Sequence, residues 1–129
     1  MKEYELEALM EYGFKRQGAE DVGYPSIVGS NYNACILHYT ANRRTSTLND
    51  LVLADCGAEY HGYTADITRT FPLSGRFSEE QKLIYTIVLE AQDSGIAACR
   101  AGAPFRSAHE AATKVIADGL LRLGIIKDL

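Results

Sequence analysis

A chain of 129 residues, 47% hydrophobic and 23% charged, has the length and balance of one globular domain, able to bury about two-thirds of its unfolded surface. Thirteen Lys and Arg against seventeen Asp and Glu give a net charge of −4 without a basic run, which argues against nucleic acid and anionic membranes as partners. No apolar stretch reaches the length of a membrane span, and three cysteines without a Cys-x-x-Cys pair imply reduced thiols and a cytoplasmic setting.

The charged start, Met1-Lys2-Glu3-Tyr4-Glu5, does not read as a signal peptide. Residues 3–17 carry Tyr4, Leu6, Leu9, Met10 and Phe14 at a loose helical period, and Gly18 supplies a stop. Gly23-Tyr24-Pro25-Ser26 signals a turn into a short strand around Ile27-Val28. Gly29 to Asn33 breaks that strand, and Ala34 to Tyr39 reads as the next one. Asn42 to Ser46 is a polar loop, after which Asn49-Asp50 leads into a strand running to Gly57. That strand and the one through Phe71 form an apparent hairpin turning about Tyr60-His61. Beyond the turn at Leu73 to Arg76, Ser78 and Gln81 form a capping box for a helix whose apolar stripe is Leu83, Ile84, Ile87, Val88 and Ala91. A second box, Ser107 with Glu110, opens a helix bearing Ala111, Val115, Ile116, Leu120 and Leu121, and Gly124 closes it. Helix, strands and helices in this order predict an α+β fold on an antiparallel sheet.

Two aspartates eleven residues apart, Asp55 in Leu51-Val52-Leu53-Ala54-Asp55-Cys56-Gly57 and Asp66 in Ala65-Asp66-Ile67-Thr68-Arg69-Thr70-Phe71-Pro72, are the most informative feature. A carboxylate in an apolar strand is costly unless a cation or hydrogen bonds compensate it. With the turn at Tyr60-His61, each residue pairs with the one whose number completes 121, so Asp55 faces Asp66 with Cβ atoms roughly 4.5–5.5 Å apart. Two like charges that close call for a metal ion between them. The alternative is an Asp ending one strand and another in a loop. Alternation turns Cys56 to the opposite face, where it packs. Thr68 and Thr70 share the Asp66 face, either as hydroxyls orienting a carboxylate or simply as good strand formers. Arg69 points away, His61 sits solvated at the hairpin tip, and His109 has no ligand partner at helical spacing.

Ile36-Leu37-His38-Tyr39-Thr40, Asp55-Cys56-Gly57-Ala58-Glu59-Tyr60 and Asp66 to Pro72 together resemble the aminopeptidase P/prolidase family of metallopeptidases, from about Glu3 to about Ile126. The resemblance implies half of a pita-bread fold, an antiparallel sheet with covering helices. It also implies hydrolysis of the bond between an N-terminal residue and proline, in a peptide with proline second, by a water activated between two divalent ions. Manganese is the expected ion, with cobalt or zinc as alternatives. By the same resemblance Asp55 and Asp66 are metal ligands, Asp66 bridging, and His38 is a catalytic histidine outside the metal shell. A satisfied strand histidine is the alternative for His38.

The family's three other ligands, a His and two Glu on later segments, have no counterpart here, and neither has its amino-terminal domain. Residues 1–129 therefore resemble the first half of a catalytic domain without the second, expected to be inactive alone. A prolidase, a general aminopeptidase and a non-catalytic binding module are the competing readings of the parent. A lone half would expose a sheet face carrying Leu51, Leu53, Asp55, Asp66 and Thr68, an invitation to homodimerise.

Overall fold

The computed structural model describes residues 1–128. Its elements are helix α1 (Glu3–Arg16), strands β1 (Asp21–Val22), β2 (Ile27–Ser30), β3 (Leu51–Cys56), β4 (Ala58–Tyr60), β5 (Tyr63–Thr64) and β6 (Ile67–Pro72), and helices α2 (Glu79–Ala98) and α3 (Ser107–Arg122). They form two compact units, residues 1–77 and the segment from Ser78 on.

In the first unit β1, β4 and β5 make one antiparallel sheet, and β2, β3 and β6 make another with β3 in the centre. Along β3, Val52, Ala54 and Cys56 are buried while Leu51, Leu53 and Asp55 are half-buried, the alternation of a sheet with one well-covered face. Val28 and Val52 form the centre of that core, joined by Ile27 and Ala54. Cys56 packs as expected, its thiol 3.6 Å from the Met10 sulfur, and burial pushes its pKa up, away from reactivity. Gly18, at φ 98°, ends α1 with the Ala19 N–H bonded to the Phe14 carbonyl.

The hairpin register differs from the one expected. The tip residues are His61 and Gly62, both at positive φ (52° and 79°), as a two-residue type I′ turn requires. Tyr60 pairs with Tyr63, Glu59 with Thr64 and Asp55 with Thr68, so partner numbers complete 123 rather than 121. Asp66 precedes β6 instead of lying within it. Because the slip is two residues and side chains alternate with period two, each residue keeps its face. Gly57 marks where the hairpin passes from one sheet to the other. A Cβ there would collide with the Ala65 carbonyl oxygen, and the Gly57 carbonyl accepts the Gly23 N–H at 2.8 Å.

The strand expected over Ala34 to Tyr39 does not form. Asn31–Cys35 is a 3-10 turn, Asn31, His38 and Asn42 adopt positive φ, and Leu37 is 86% exposed. The apolar run is too short and too exposed to earn a partner strand. The asparagine side chains bond elsewhere in the fold instead, which favours irregular backbone.

In the second unit α2 packs on α3 through Ile87, whose side-chain carbons lie within 2.9 Å of where a Cβ on Gly119 would stand. Of the expected α2 stripe, Ile87 and Ala91 are buried, whereas Leu83, Ile84 and Val88 remain exposed. The Ser78 box is formed: its Oγ accepts the Gln81 N–H at 3.2 Å and the Gln81 side chain accepts the Ser78 N–H at 2.9 Å. The Ser107 box is not. The Ser107 N–H bonds the Pro104 carbonyl, so the serine is already inside the helix, and Arg106 holds the cap position without a side-chain bond. Glu110 lies 3.6 Å from Arg106 instead. Gly124, at φ 68°, closes α3 with the Ile125 N–H bonded to the Leu120 carbonyl.

Candidate metal centre

Asp55 reaches the site from the central strand β3, and Asp66 from the irregular step before β6. Their carboxylates converge on one group, the Tyr24 hydroxyl, 2.6 Å from Asp55 Oδ1 and 3.2 Å from Asp66 Oδ1. A hydroxyl has one proton, so the short bond to Asp55 is the main donation and Asp66 shares it weakly. The expected convergence on one face is present, carried by a diagonal placement rather than a direct pair. Tyr24, read from the sequence as part of a turn, is the group that was missed. A residue before proline is held extended, but nothing in the sequence ties position 24 to 55 and 66.

Tyr24, Pro25, Ile27, His38, Thr40 and the two aspartates line one cavity of about 290 Å³. All three residues singled out in the sequence are therefore brought together. His38 is exposed at the cavity, on a backbone at φ 54°, a left-handed conformation that costs about 1–2 kcal/mol outside glycine. The histidine is thus neither on a strand nor packed in a core.

The His38 segment is held from beneath. Glu3, 0% exposed at the start of α1, accepts from the Ser30 N–H and hydroxyl, the Asn33 amide, the Tyr39 hydroxyl and the Arg44 N–H. Burial alone would raise its pKa, but these donors outweigh it and hold the carboxyl below its ordinary value. Asn42, also buried, accepts the Val28 N–H at 3.0 Å and donates to the Ser26 carbonyl at 2.9 Å, taking the part of a strand beside β2. Asp50 is bonded by Arg44 at 2.5 Å and by Asn31 and the Thr47 N–H. Arg44 in particular keeps it well below the usual carboxylate range.

At the cavity itself, burial and the adjacent Asp55 carboxylate push the Tyr24 phenol well above its usual range. Among the described residues no Lys or Arg lines the cavity to neutralise the aspartate pair. Two carboxylates converging on one point without a neutralising cation suit a hard divalent ion. Among the described residues no group of three or more His, Cys, Asp or Glu gathers to hold one, so this chain offers two carboxylates.

The remaining histidines lie elsewhere. His61, at the exposed tip, sits 2.9 Å from Glu20 and stacks on Tyr60, and His109 is exposed on α3. Arg69 is exposed and bonds the Thr68 carbonyl. A larger cavity of about 440 Å³ runs along α2 and α3, where Arg122 lies 3.8 Å from Glu90. No helix among the described residues is long and apolar enough to cross a membrane.

The sequence profile of metallopeptidase family M24 matches residues 1–127. Xaa-Pro aminopeptidase of Escherichia coli strain K12 is 44% identical over 127 residues, covering 98% of this chain and 29% of that protein. In structure, aminopeptidase PepP of Pseudomonas aeruginosa matches with a TM-score of 0.95 at 48% identity, over 98% of this chain and 28% of its own. Zinc-substituted E. coli aminopeptidase P in complex with product gives 0.94 at 44% identity, over 98% and 29%. The chain thus spans less than a third of the length of these relatives, and it shares their antiparallel α+β half of the pita-bread fold.

Proposed function

The chain belongs to metallopeptidase family M24, and from that premise we propose that it carries part of the active site of a metal-dependent Xaa-Pro aminopeptidase. Residues 1–129 are, in this reading, the first half of the catalytic domain. The observation that supports it most directly is the convergence of Asp55 and Asp66 on the Tyr24 hydroxyl in the cavity that also holds His38.

Asp55 and Asp66 would hold two divalent ions, manganese by the oxygen-rich donor set, and ions there supply charge that polarises a scissile carbonyl and acidifies water. The chain's own residues position and bind. Tyr24 restrains both carboxylates. Pro25 and Ile27 give the cavity an apolar wall against which a peptide bearing proline at its second position can lie. His38, at the cavity and free of packing, would donate a hydrogen bond to the peptide carbonyl as negative charge grows on it. The half-exposed face of β3 is a surface for homodimerisation, and the free thiols Cys35, Cys56 and Cys99 accord with a cytoplasmic site.

The test is cleavage of an Xaa-Pro peptide by the polypeptide at its relatives' length. Manganese-dependent release of the first residue is expected, reduced at least 100-fold in Asp66→Ala and in His38→Ala. Turnover indifferent to both substitutions would refute the assignment of these residues.

A further inference from the structure

We propose that Glu3 is a positioning residue for His38: its buried carboxylate gathers residues 30–44 and so sets the backbone from which the imidazole meets the cavity. This rests on the reading of His38 as a group that faces substrate.

The donors to Glu3 are spread along the segment. Ser30 gives its N–H and its hydroxyl at 2.8 Å, Asn33 its amide at 3.1 Å, Tyr39 its hydroxyl at 2.8 Å and Arg44 its N–H at 2.9 Å. The start, the middle and the end of one irregular stretch are thereby tied to a single side chain. Tyr39 is the chain neighbour of His38, and its oxygen is fixed from the other side by the Asn33 amide at 2.9 Å and the Arg43 N–H at 3.3 Å.

His38 cannot hold itself in place. Its φ of 54° is unfavourable for a side-chain-bearing residue, and Leu37 before it is 86% exposed and contributes no packing. The conformation must come from what the flanking residues are bonded to, and on the Tyr39 side that is Glu3. The chemistry also requires a carboxylate. An ionised carboxylate only accepts, matching five donors, whereas a glutamine would present an N–H₂ to at least one of them.

The three histidines of the chain make the test direct, because each ring gives its own NMR signal and His61 and His109 serve as references. In Tyr39→Phe, which removes one donor to Glu3 but leaves the carboxylate bonded, the His38 ring signals are expected to move beyond their linewidth while those of His61 and His109 stay. Glu3→Gln is expected to move them further. A purely structural staple would lower the melting temperature in both variants with His38 unmoved, and that result overturns the proposal. So does movement of all three histidines together. If Glu3→Gln fails to fold, Tyr39→Phe decides alone. In the polypeptide at its relatives' length, Tyr39→Phe should lower kcat about tenfold with KM nearly unchanged. Should His38→Ala leave cleavage intact while the NMR coupling holds, the positioning stands and the role of His38 toward substrate falls.

Discussion

Glu3 and Asp50 are acids that the fold keeps ionised. Both carboxyls sit below their ordinary values of 4.5 and 3.8, so each contributes stability that is complete above those values and drains away as pH falls through the lower, folded-state ones. Urea midpoints should therefore be level from pH 7 to pH 5 and fall steeply below about pH 4. Glu3→Gln should cost on the order of 3 kcal/mol at pH 7, since it faces buried donors with a donor, and should flatten that acid limb. At the cavity, Tyr24→Phe removes the hydroxyl shared by Asp55 and Asp66. Manganese affinity, read by electron paramagnetic resonance titration, is expected to drop about tenfold, and unchanged affinity would mean that the carboxylates hold their places unaided. That Asp55, Asp66 and His38 belong to one candidate site was legible because their neighbours in sequence carry the pattern, and they do line one cavity. Glu3 and Tyr24 were not, since each acts on partners 27 to 42 positions away, a relation that no local spacing encodes.

Among the elements, helix starts and stops were read where a side chain makes its bond within one turn. Ser78 with Gln81 is of this kind, and Gly18 and Gly124 are as local, each ending its helix through a positive φ and a backbone bond beside it. Ser107 with Glu110 has the same spacing but a different neighbour: the bond from its N–H to Pro104 draws the helix start one residue earlier. Thermal melts should separate the two serines. Ser78→Ala is expected to destabilise by about 1 kcal/mol and Ser107→Ala by less than about 0.5 kcal/mol. The strand expected at Ala34 to Tyr39 failed for the opposite reason, a tertiary override, because the side chain of Asn42 and the carboxylate of Glu3 take the Val28 and Ser30 N–H groups that a strand beside β2 would use. Gly57→Ala should be among the most damaging small changes, costing several kcal/mol by driving a methyl into the Ala65 carbonyl. Gly62→Ala meets open space and pays about 1 kcal/mol for its positive φ.

At the scale of the whole molecule, two carboxylates cannot fix a nucleophilic water by themselves, because each ion keeps most of its other ligands from solvent. The 129-residue chain alone is expected to show no manganese-dependent release of an N-terminal residue from Xaa-Pro peptides. Turnover that disappears in Asp66→Ala, with host peptidase excluded, would show otherwise. The same chain leaves Leu51, Leu53 and Asp55 half-buried and the Asp55 partner Thr68 exposed on one sheet face, so sedimentation at rising concentration should reveal a dimer. A monomer of 14.2 kDa persisting at millimolar concentration would dispose of that surface as a self-association site.

The turn at His61-Gly62 carries a further consequence, for how this part of the chain can change over evolutionary time. Asp55 and Asp66 stand on opposite arms of one hairpin, and beyond them the arms continue as β4 and β5, paired with each other and, through β4, with β1. Insertions or deletions taken as matched pairs, one residue from each arm, shorten or lengthen the tip without disturbing which residue faces Thr68 or Gly57. A single residue lost from one arm would turn every later side chain to the other face and separate the two carboxylates. Length variation among natural homologues should therefore come in even steps between Ala58 and Ala65.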